Sequence, residues 1–319
     1  MKSKILIIDN AHPSMLQKFT EAGCIVEYHE NLSEQEIYST IHAFDAVVIR
    51  SKIVANATFI DAGSNLKCIG RIGAGMETID IAYAESKGIQ CLNSPEGNRD
   101  AVGEHTVGML LALANNITKA DKEVRNSIWD REGNRGFEIM GKTIGIIGYG
   151  NMGQAFAKKL SGFGAHVIAY DKYKKNFSDE YAQECSLEYL QKQADIISFH
   201  VPQTPETIAM CNAHFIAACA KPFVLINTAR GKVVCTNDLV AGIQSGKVRA
   251  AALDVLEYES FNFQDFLTDA MPEAFEYLRT SPKVIFTPHI AGWTVESKEK
   301  LASVLADKII ACLKQHKTV

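Results

Sequence analysis

Apolar residues fall along this chain in two alternating rhythms. Short β-branched runs at residues 4–9, 24–28, 45–50, 67–70 and 89–92 alternate with stretches whose apolar positions recur every three or four residues. The runs read as buried strands and the intervening stretches as covering helices, which predicts a parallel sheet with helices on both faces. A longer helical pattern over residues 99–116 breaks the rhythm. A second series of runs follows at 143–148, 166–170, 195–201, 223–227, 250–255 and 284–287. The chain therefore reads as α/β, built from two doubly wound parallel-sheet domains. The helical stretch over 294–314 has no strand left to pair with in the second series, so it is expected to return to the first. That makes the first domain discontinuous, residues 1–97 and 293–319, around a second domain of residues 98–292.

Composition narrows the class. Of 319 residues, 47% are hydrophobic and 22% charged, the balance of a globular enzyme. A net charge of −4 provides no general basic field, so neither nucleic acid nor an anionic membrane is an expected partner. The lysine cluster Lys172, Lys174 and Lys175 reads as a solvated loop. No run approaches the ~20 apolar residues of a membrane span, and the apolar run after Lys4 is too short for a signal-peptide core, so a cytoplasmic location is expected. The eight cysteines form no C-x-x-C pair and the nine histidines no H-x-x-x-H pair. No metal site is expected.

The run over 143–148 ends in Gly148-Tyr-Gly150-Asn-Met-Gly153 and leads into a helical pattern over 154–162. In a G-x-G-x-x-G turn the first glycine permits the tight bend. The second lets backbone approach a pyrophosphate, and the third lets helix pack close on strand. The amides of Asn151 and Met152 open a helix N-terminus, which favours phosphate. Asp171 stands eighteen residues beyond Gly153 at the end of the next strand. A carboxylate there accepts ribose hydroxyls and repels a 2′-phosphate, which points to a Rossmann-type domain binding NAD rather than NADP. A second glycine cluster, Gly70 to Gly75, lacks the third glycine because Thr78 stands in its place. The amides of Gly73, Ala74 and Gly75 suit an anion-binding nest for part of a substrate.

Three later segments place polar residues at strand ends, where open α/β sheets bind ligands: Asn227 to Gly231, Leu253 to Glu259, and Thr287 to Gly292. Arg230, Glu259 and His289 suit the redox chemistry of a 2-hydroxy acid. A guanidinium forks onto a carboxylate, an imidazole accepts the hydroxyl proton, and a carboxylate steadies the resulting imidazolium. Each also has a plain structural explanation: an ion-pair partner for Arg230, a solvated loop acid for Glu259, a capped turn residue for His289.

Taken with N-S-P-E-G-N-R-D-A-V-G-E-H-T from Asn93, H-V-P-Q-T-P-E-T from His200, I-N-T-A-R-G from Ile226, A-A-L-D-V from Ala251 and T-P-H-I-A-G from Thr287, the chain resembles the D-isomer-specific 2-hydroxyacid dehydrogenases over nearly its whole length. The resemblance implies a flavodoxin-like substrate domain beside the Rossmann-type one. It implies that His289 is the acid/base, Glu259 its partner and Arg230 the substrate ligand. It further implies cofactor contacts at Asn151, Met152, Asp171, Val201, Thr228, Ala229, Asp254, His289 and Gly292, and a homodimer joined largely through the cofactor domain. Glutamate at 259, where the related formate dehydrogenases have glutamine, fits a reaction in which a proton moves. Two features depart from the family pattern. Ser260 stands where proline often follows the glutamate, and the interval to His289 is long, with Phe261, Phe263, Phe266, Met271 and Phe275 in it. That interval is expected to be extra packing.

Within the family the likeness is greatest to phosphoglycerate dehydrogenases, through V-I-R-S from Val48 and G-R-I-G-A-G from Gly70. It implies oxidation of 3-phosphoglycerate, the chemistry of serine biosynthesis, in a short form without the C-terminal regulatory domain. Arg50 and Arg71 at strand ends suit a phosphate, with Asn98 adding a donor; alternatively the arginines pair with acids such as Glu77 or Asp80. Other readings are a hydroxypyruvate or glyoxylate reductase, and an NADH-sensing corepressor-like binding protein, for which extended tails would be expected.

Overall fold

In the computed structural model, residues 2–259 and 272–316 are described, and they divide into two compact units, 1–99 with 293–319 and 100–292. The four aromatic and methionine positions 261, 263, 266 and 271 of the long interval lie outside the described residues. Phe275 lies within them, buried against Phe286 and Tyr258.

Unit 1 holds a five-stranded parallel sheet of β1 (Lys4–Ile7), β2 (Ile25–Tyr28), β3 (Ala46–Ile49), β4 (Cys68–Arg71) and β5 (Gln90–Asn93), in the order β2-β1-β3-β4-β5. This is the flavodoxin-like order. Because side chains alternate across a strand, each face of the sheet has its own core. On one side Leu6, Val47 and Ile69 join Phe59 and Ile37; on the other Ile5, Ile7, Ala46 and Val48 meet the helix Val295–Gln315. That helix starts at a capping box between Thr294 and Ser297 and buries Ala302, Leu305, Ile309 and Leu313, a spacing of three and four that presents one apolar stripe. It sits so close on β4 that a Cβ on Gly70 would come within 2.6 Å of Ile309.

Unit 2 holds seven parallel strands: β6 (Thr143–Ile147), β7 (His166–Tyr170), β8 (Gln183–Glu184), β9 (Ile196–Phe199), β10 (Phe223–Asn227), β11 (Val248–Leu253) and β12 (Val284–Phe286). Their order is β12-β11-β10-β9-β6-β7-β8, so the direction of winding reverses between β6 and β9. Open sheets of this kind take ligands at that reversal, outside the carboxyl ends of the strands. β8, a two-residue extension of the sheet beyond β7, carries too little periodicity to be read from sequence. The pattern over 99–116 is the helix Arg99–Ala114; a second helix, Ile117–Arg125, follows Asn116, whose φ of 52° no continuing helix adopts. Among the described residues no helix is long and apolar enough to cross a membrane.

Candidate active site

The turn after β6 has the local geometry its glycines require. Gly148 has φ +91°, and a Cβ there would lie 2.6 Å from the carbonyl oxygen of His200. A Cβ on Gly153 would lie 2.1 Å from the carbonyl oxygen of Gly148, so only glycine lets the helix Asn151–Leu160 start so near the strand. The helix begins three residues earlier than the apolar pattern suggests. Gly150 differs from both: a Cβ there meets nothing within 4 Å, so packing inside the protein does not demand glycine. Gly150 caps the helix without a side-chain bond, and the amides of Asn151 and Met152 find no acceptor among the described residues. An open backbone approach under unpaired first-turn amides fits a dinucleotide's pyrophosphate.

Asp171 follows β7 directly. Its Oδ2 accepts from the Tyr149 amide at 2.9 Å, and Oδ1 accepts from the amides of Tyr173 and Lys174 at 2.9 and 3.0 Å. Burial opposes its ionisation, but these bonds and the Lys174 charge prevail and hold the carboxyl below the usual range. Beneath the turn His200 is buried, and burial alone lowers its imidazole to about 3. It is a neutral packing residue whose Nε2 meets Ser198 Oγ at 2.8 Å. Val201 follows it, half-buried.

The three catalytic candidates leave neighbouring strands at one edge. Asn227 of β10 pairs with Leu253 of β11, and Leu253 with Phe286 of β12, so the segments after all three strands start in register. A Cβ on Gly231 would come within 1.8 Å of the Leu256 carbonyl oxygen, which means the first two segments touch backbone to backbone. Asn227 braces its own turn: Oδ1 accepts from the Ala229 amide at 3.1 Å and Nδ2 donates to the Arg230 carbonyl at 3.0 Å. The half-buried Arg230 guanidinium donates to the Ala229 carbonyl at 2.6 Å. Thr228 Oγ1 lies 3.3 Å from Thr106 Oγ1.

His289 and Glu259 form the expected pair. Nδ1 of His289 lies 2.8 Å from Glu259 Oε2, and the two side chains keep 24% and 19% exposure. The other Glu259 oxygen accepts from the Leu256 amide, which fixes the carboxylate. His289 itself has φ +54°, a left-handed conformation that costs a residue with a Cβ about 1–2 kcal/mol. What sustains it is Asp254. Its Oδ1 accepts from Thr287 Oγ1 at 2.6 Å and the Ile290 amide at 2.9 Å, Oδ2 accepts from the Ala291 amide at 3.0 Å, and its carbonyl accepts from the His289 amide at 2.7 Å. Asp254 is 1% exposed and staples the histidine loop, which ends at Gly292. Sequence reasoning missed His105, whose Nε2 reaches Thr287 Oγ1 at 3.0 Å and Asp254 Oδ1 at 3.5 Å from the helix Arg99–Ala114. Its only signal was a histidine among the polar positions in the first half of that helix.

In unit 1 the arginines divide. Arg50 follows β3; its amide is held by Asp9 Oδ2 at 2.6 Å and its guanidinium lies 4.9 Å over the Trp293 ring. Arg71 is directed inward from its strand end. It is 7% exposed and folds under its own loop, donating to the carbonyls of Arg50 at 3.1 Å and Gly75 at 2.8 Å. Beyond it Asn93 Nδ2 holds the Ala74 carbonyl at 2.6 Å. With those carbonyls turned inward, the amides of Gly73, Ala74 and Gly75 find no acceptor among the described residues, as an anion nest requires. Asn98 follows Gly97, which packs on the backbone of Leu301; its Oδ1 is buried without a hydrogen-bond partner. Among the described residues no group of three His, Cys, Asp or Glu side chains is placed to hold a metal.

Comparison with known proteins agrees with this geometry. Residues 107–291 match the family model of the D-isomer specific 2-hydroxyacid dehydrogenase NAD binding domain. The chain is 37% identical over 280 residues to a hydroxypyruvate reductase of Thermotoga maritima, covering 88% of each. It is 34% identical over 312 residues to a D-3-phosphoglycerate dehydrogenase of Methanocaldococcus jannaschii, covering 96% of this chain but 56% of that protein. The chain thus spans little more than half the length of that relative. Among solved structures, a D-lactate dehydrogenase of Aquifex aeolicus complexed with NAD and lactic acid superposes with a TM-score of 0.81 at 27% identity, covering 98% of this chain and 96% of that one.

Proposed function

This chain belongs to the D-isomer-specific 2-hydroxyacid dehydrogenase family, an NAD-dependent group of enzymes, and within it we propose that the substrate is 3-phosphoglycerate, oxidised to 3-phosphohydroxypyruvate. The alcohol loses a hydride from C2 and a proton from its hydroxyl. NAD, when bound, supplies the hydride acceptor. His289 takes the proton on Nε2, since Nδ1 is engaged with Glu259, and Glu259 stabilises the imidazolium that forms. Arg230 forks onto the carboxylate and aligns C2. In the reduction direction the same imidazolium returns its proton to the carbonyl oxygen.

The observation that carries the phosphorylated substrate is Arg50. Its guanidinium stands at the end of β3 on the Trp293 ring, one strand from the unpaired amides of Gly73–Gly75, so unit 1 presents a cation and an amide nest at one sheet edge. We assign these groups, with Asn98, to substrate anions. A second reading, hydroxypyruvate, is favoured by Arg71, whose guanidinium is turned to the backbone carbonyls of Arg50 and Gly75. Steady-state kinetics with NADH separates the two. We expect kcat/KM for phosphohydroxypyruvate to exceed that for hydroxypyruvate by about tenfold or more, and Arg50→Ala to remove most of the difference, since a charge-assisted contact contributes roughly 1.5–3 kcal/mol. A preference for hydroxypyruvate in the wild type assigns the enzyme to the second reading. We also propose a cytoplasmic homodimer: the helix Ile117–Arg125 has no buried residue and exposes Ile117 and Val124, with Ile128 and Trp129 exposed just beyond it.

A further inference from the structure

Cofactor choice has been assigned to Asp171 alone, yet the loop that follows is basic. A cation just past this strand is the usual partner of an adenosine 2′-phosphate, and here Lys172, Lys174 and Lys175 follow Asp171 with Tyr173 among them. A loop so furnished would be expected to tolerate the phosphate that Asp171 repels.

The structure shows how two of these lysines are engaged. Lys174 Nζ donates to the Tyr149 carbonyl at 2.8 Å, inside the glycine-rich turn, and its charge bears on Asp171. Lys172 Nζ lies 2.7 Å from Glu206 Oε2, and Tyr173 Oη donates to the same oxygen at 2.6 Å. Glu206 comes from a different segment, the turn after β9 whose shape is set by Thr204 and Thr207. It is the adjoining strand of β6 on the other side of the winding reversal. The two loops that bound the adenosine end of a Rossmann-type site are thus tied by one carboxylate, and that carboxylate holds the cation next to Asp171 in sequence.

We propose that Glu206 is a second determinant of cofactor choice, a positioning residue that withholds Lys172 from a 2′-phosphate and adds its own negative charge beside that position. Both effects disfavour NADP and leave NAD untouched, because specificity is a difference between two affinities. The pair is half exposed, so it contributes little to stability. This inference rests on the assignment of Asp171 to the ribose, and the experiment separates the two.

The ratio of kcat/KM for NADH to that for NADPH is measured in the wild type, Glu206→Gln, Asp171→Ala and the double variant, with Lys172→Ala added to the last. Inhibition by adenosine 2′,5′-bisphosphate against 5′-AMP is measured on the same proteins. Glu206→Gln lowers the ratio about two- to fivefold, with kcat on NADH unchanged. In the double variant the ratio falls about tenfold further than the product of the single effects, because Lys172 then meets a phosphate that nothing repels. Adding Lys172→Ala abolishes that excess, and the bisphosphate gains on 5′-AMP in parallel. A purely structural Glu206 would weaken both cofactors alike and leave the ratio fixed, which overturns the proposal. So does an excess that survives Lys172→Ala. A wild type that uses both cofactors equally removes the role of Asp171 as well.

Discussion

Asp254→Asn isolates the device that holds the catalytic histidine. Asparagine keeps one carbonyl oxygen but presents an N–H donor where the second carboxylate oxygen stood. With its oxygen toward Thr287 and Ile290, the new donor faces the Ala291 amide across 3.0 Å; flipped, it faces the other two donors. One charge-assisted bond is lost and two donors are set against each other, which we expect to cost about 2–4 kcal/mol of folding stability at pH 7. The loop can then relax His289 out of its left-handed conformation, and a displacement of about 1 Å lowers kcat roughly a hundredfold. The effect depends on pH with a definite sign. Burial disfavours the Asp254 carboxylate, but bonds from His105, Thr287 and the amides of Ala291 and Ile290 prevail and hold its folded-state pKa below 3.8. A depressed carboxylate contributes stability that is complete above its unfolded value and lost as pH falls through the folded one. Urea unfolding of both proteins should therefore show a constant gap from pH 7 to about pH 5 that narrows below about pH 4. A variant as stable as the wild type at pH 7, or a gap that persists unchanged in acid, would refute this account.

His289→Ala should lower kcat by roughly two to four orders of magnitude and Glu259→Gln by less, since the glutamine still orients the ring but cannot balance its charge; near-normal turnover of His289→Ala with either keto acid would remove the assignment. Arg71→Ala should destabilise the protein by about 2–4 kcal/mol in urea unfolding, because it leaves the carbonyls of Arg50 and Gly75 without their donor, and should raise KM for phosphorylated and unphosphorylated substrates alike. A loss confined to the phosphorylated substrate would show that the guanidinium reaches the phosphate after all.

Local requirements were legible because each is met within a few residues of chain. Gly148 and Gly153 announce a turn that no side chain fits, and Asp171 sits at the one strand end where a ribose acid acts. The strand runs were legible for the same reason: a strand buried on both faces is close to continuously apolar, as Phe223–Asn227 is up to its last residue. The two-residue β8 falls below the length at which a period can be counted.

Residue types, their spacing and the order of strands and helices were determined by the sequence itself, since propensity, turn chemistry and hydrophobic period act over short distances along the chain. Only the tertiary structure decided where long side chains point. Arg50 and Arg71 look equivalent as strand-end arginines, yet one lies on an indole ring and the other is buried beneath its own loop. Asp254 and His105 stand far apart in sequence, yet together they brace the loop that presents His289. Lys172 reads as a solvated charge until Glu206 arrives from another strand. The reason is physical: a guanidinium or carboxylate takes whichever partner lies within about 3 Å, and those partners come from segments that only folding brings into reach.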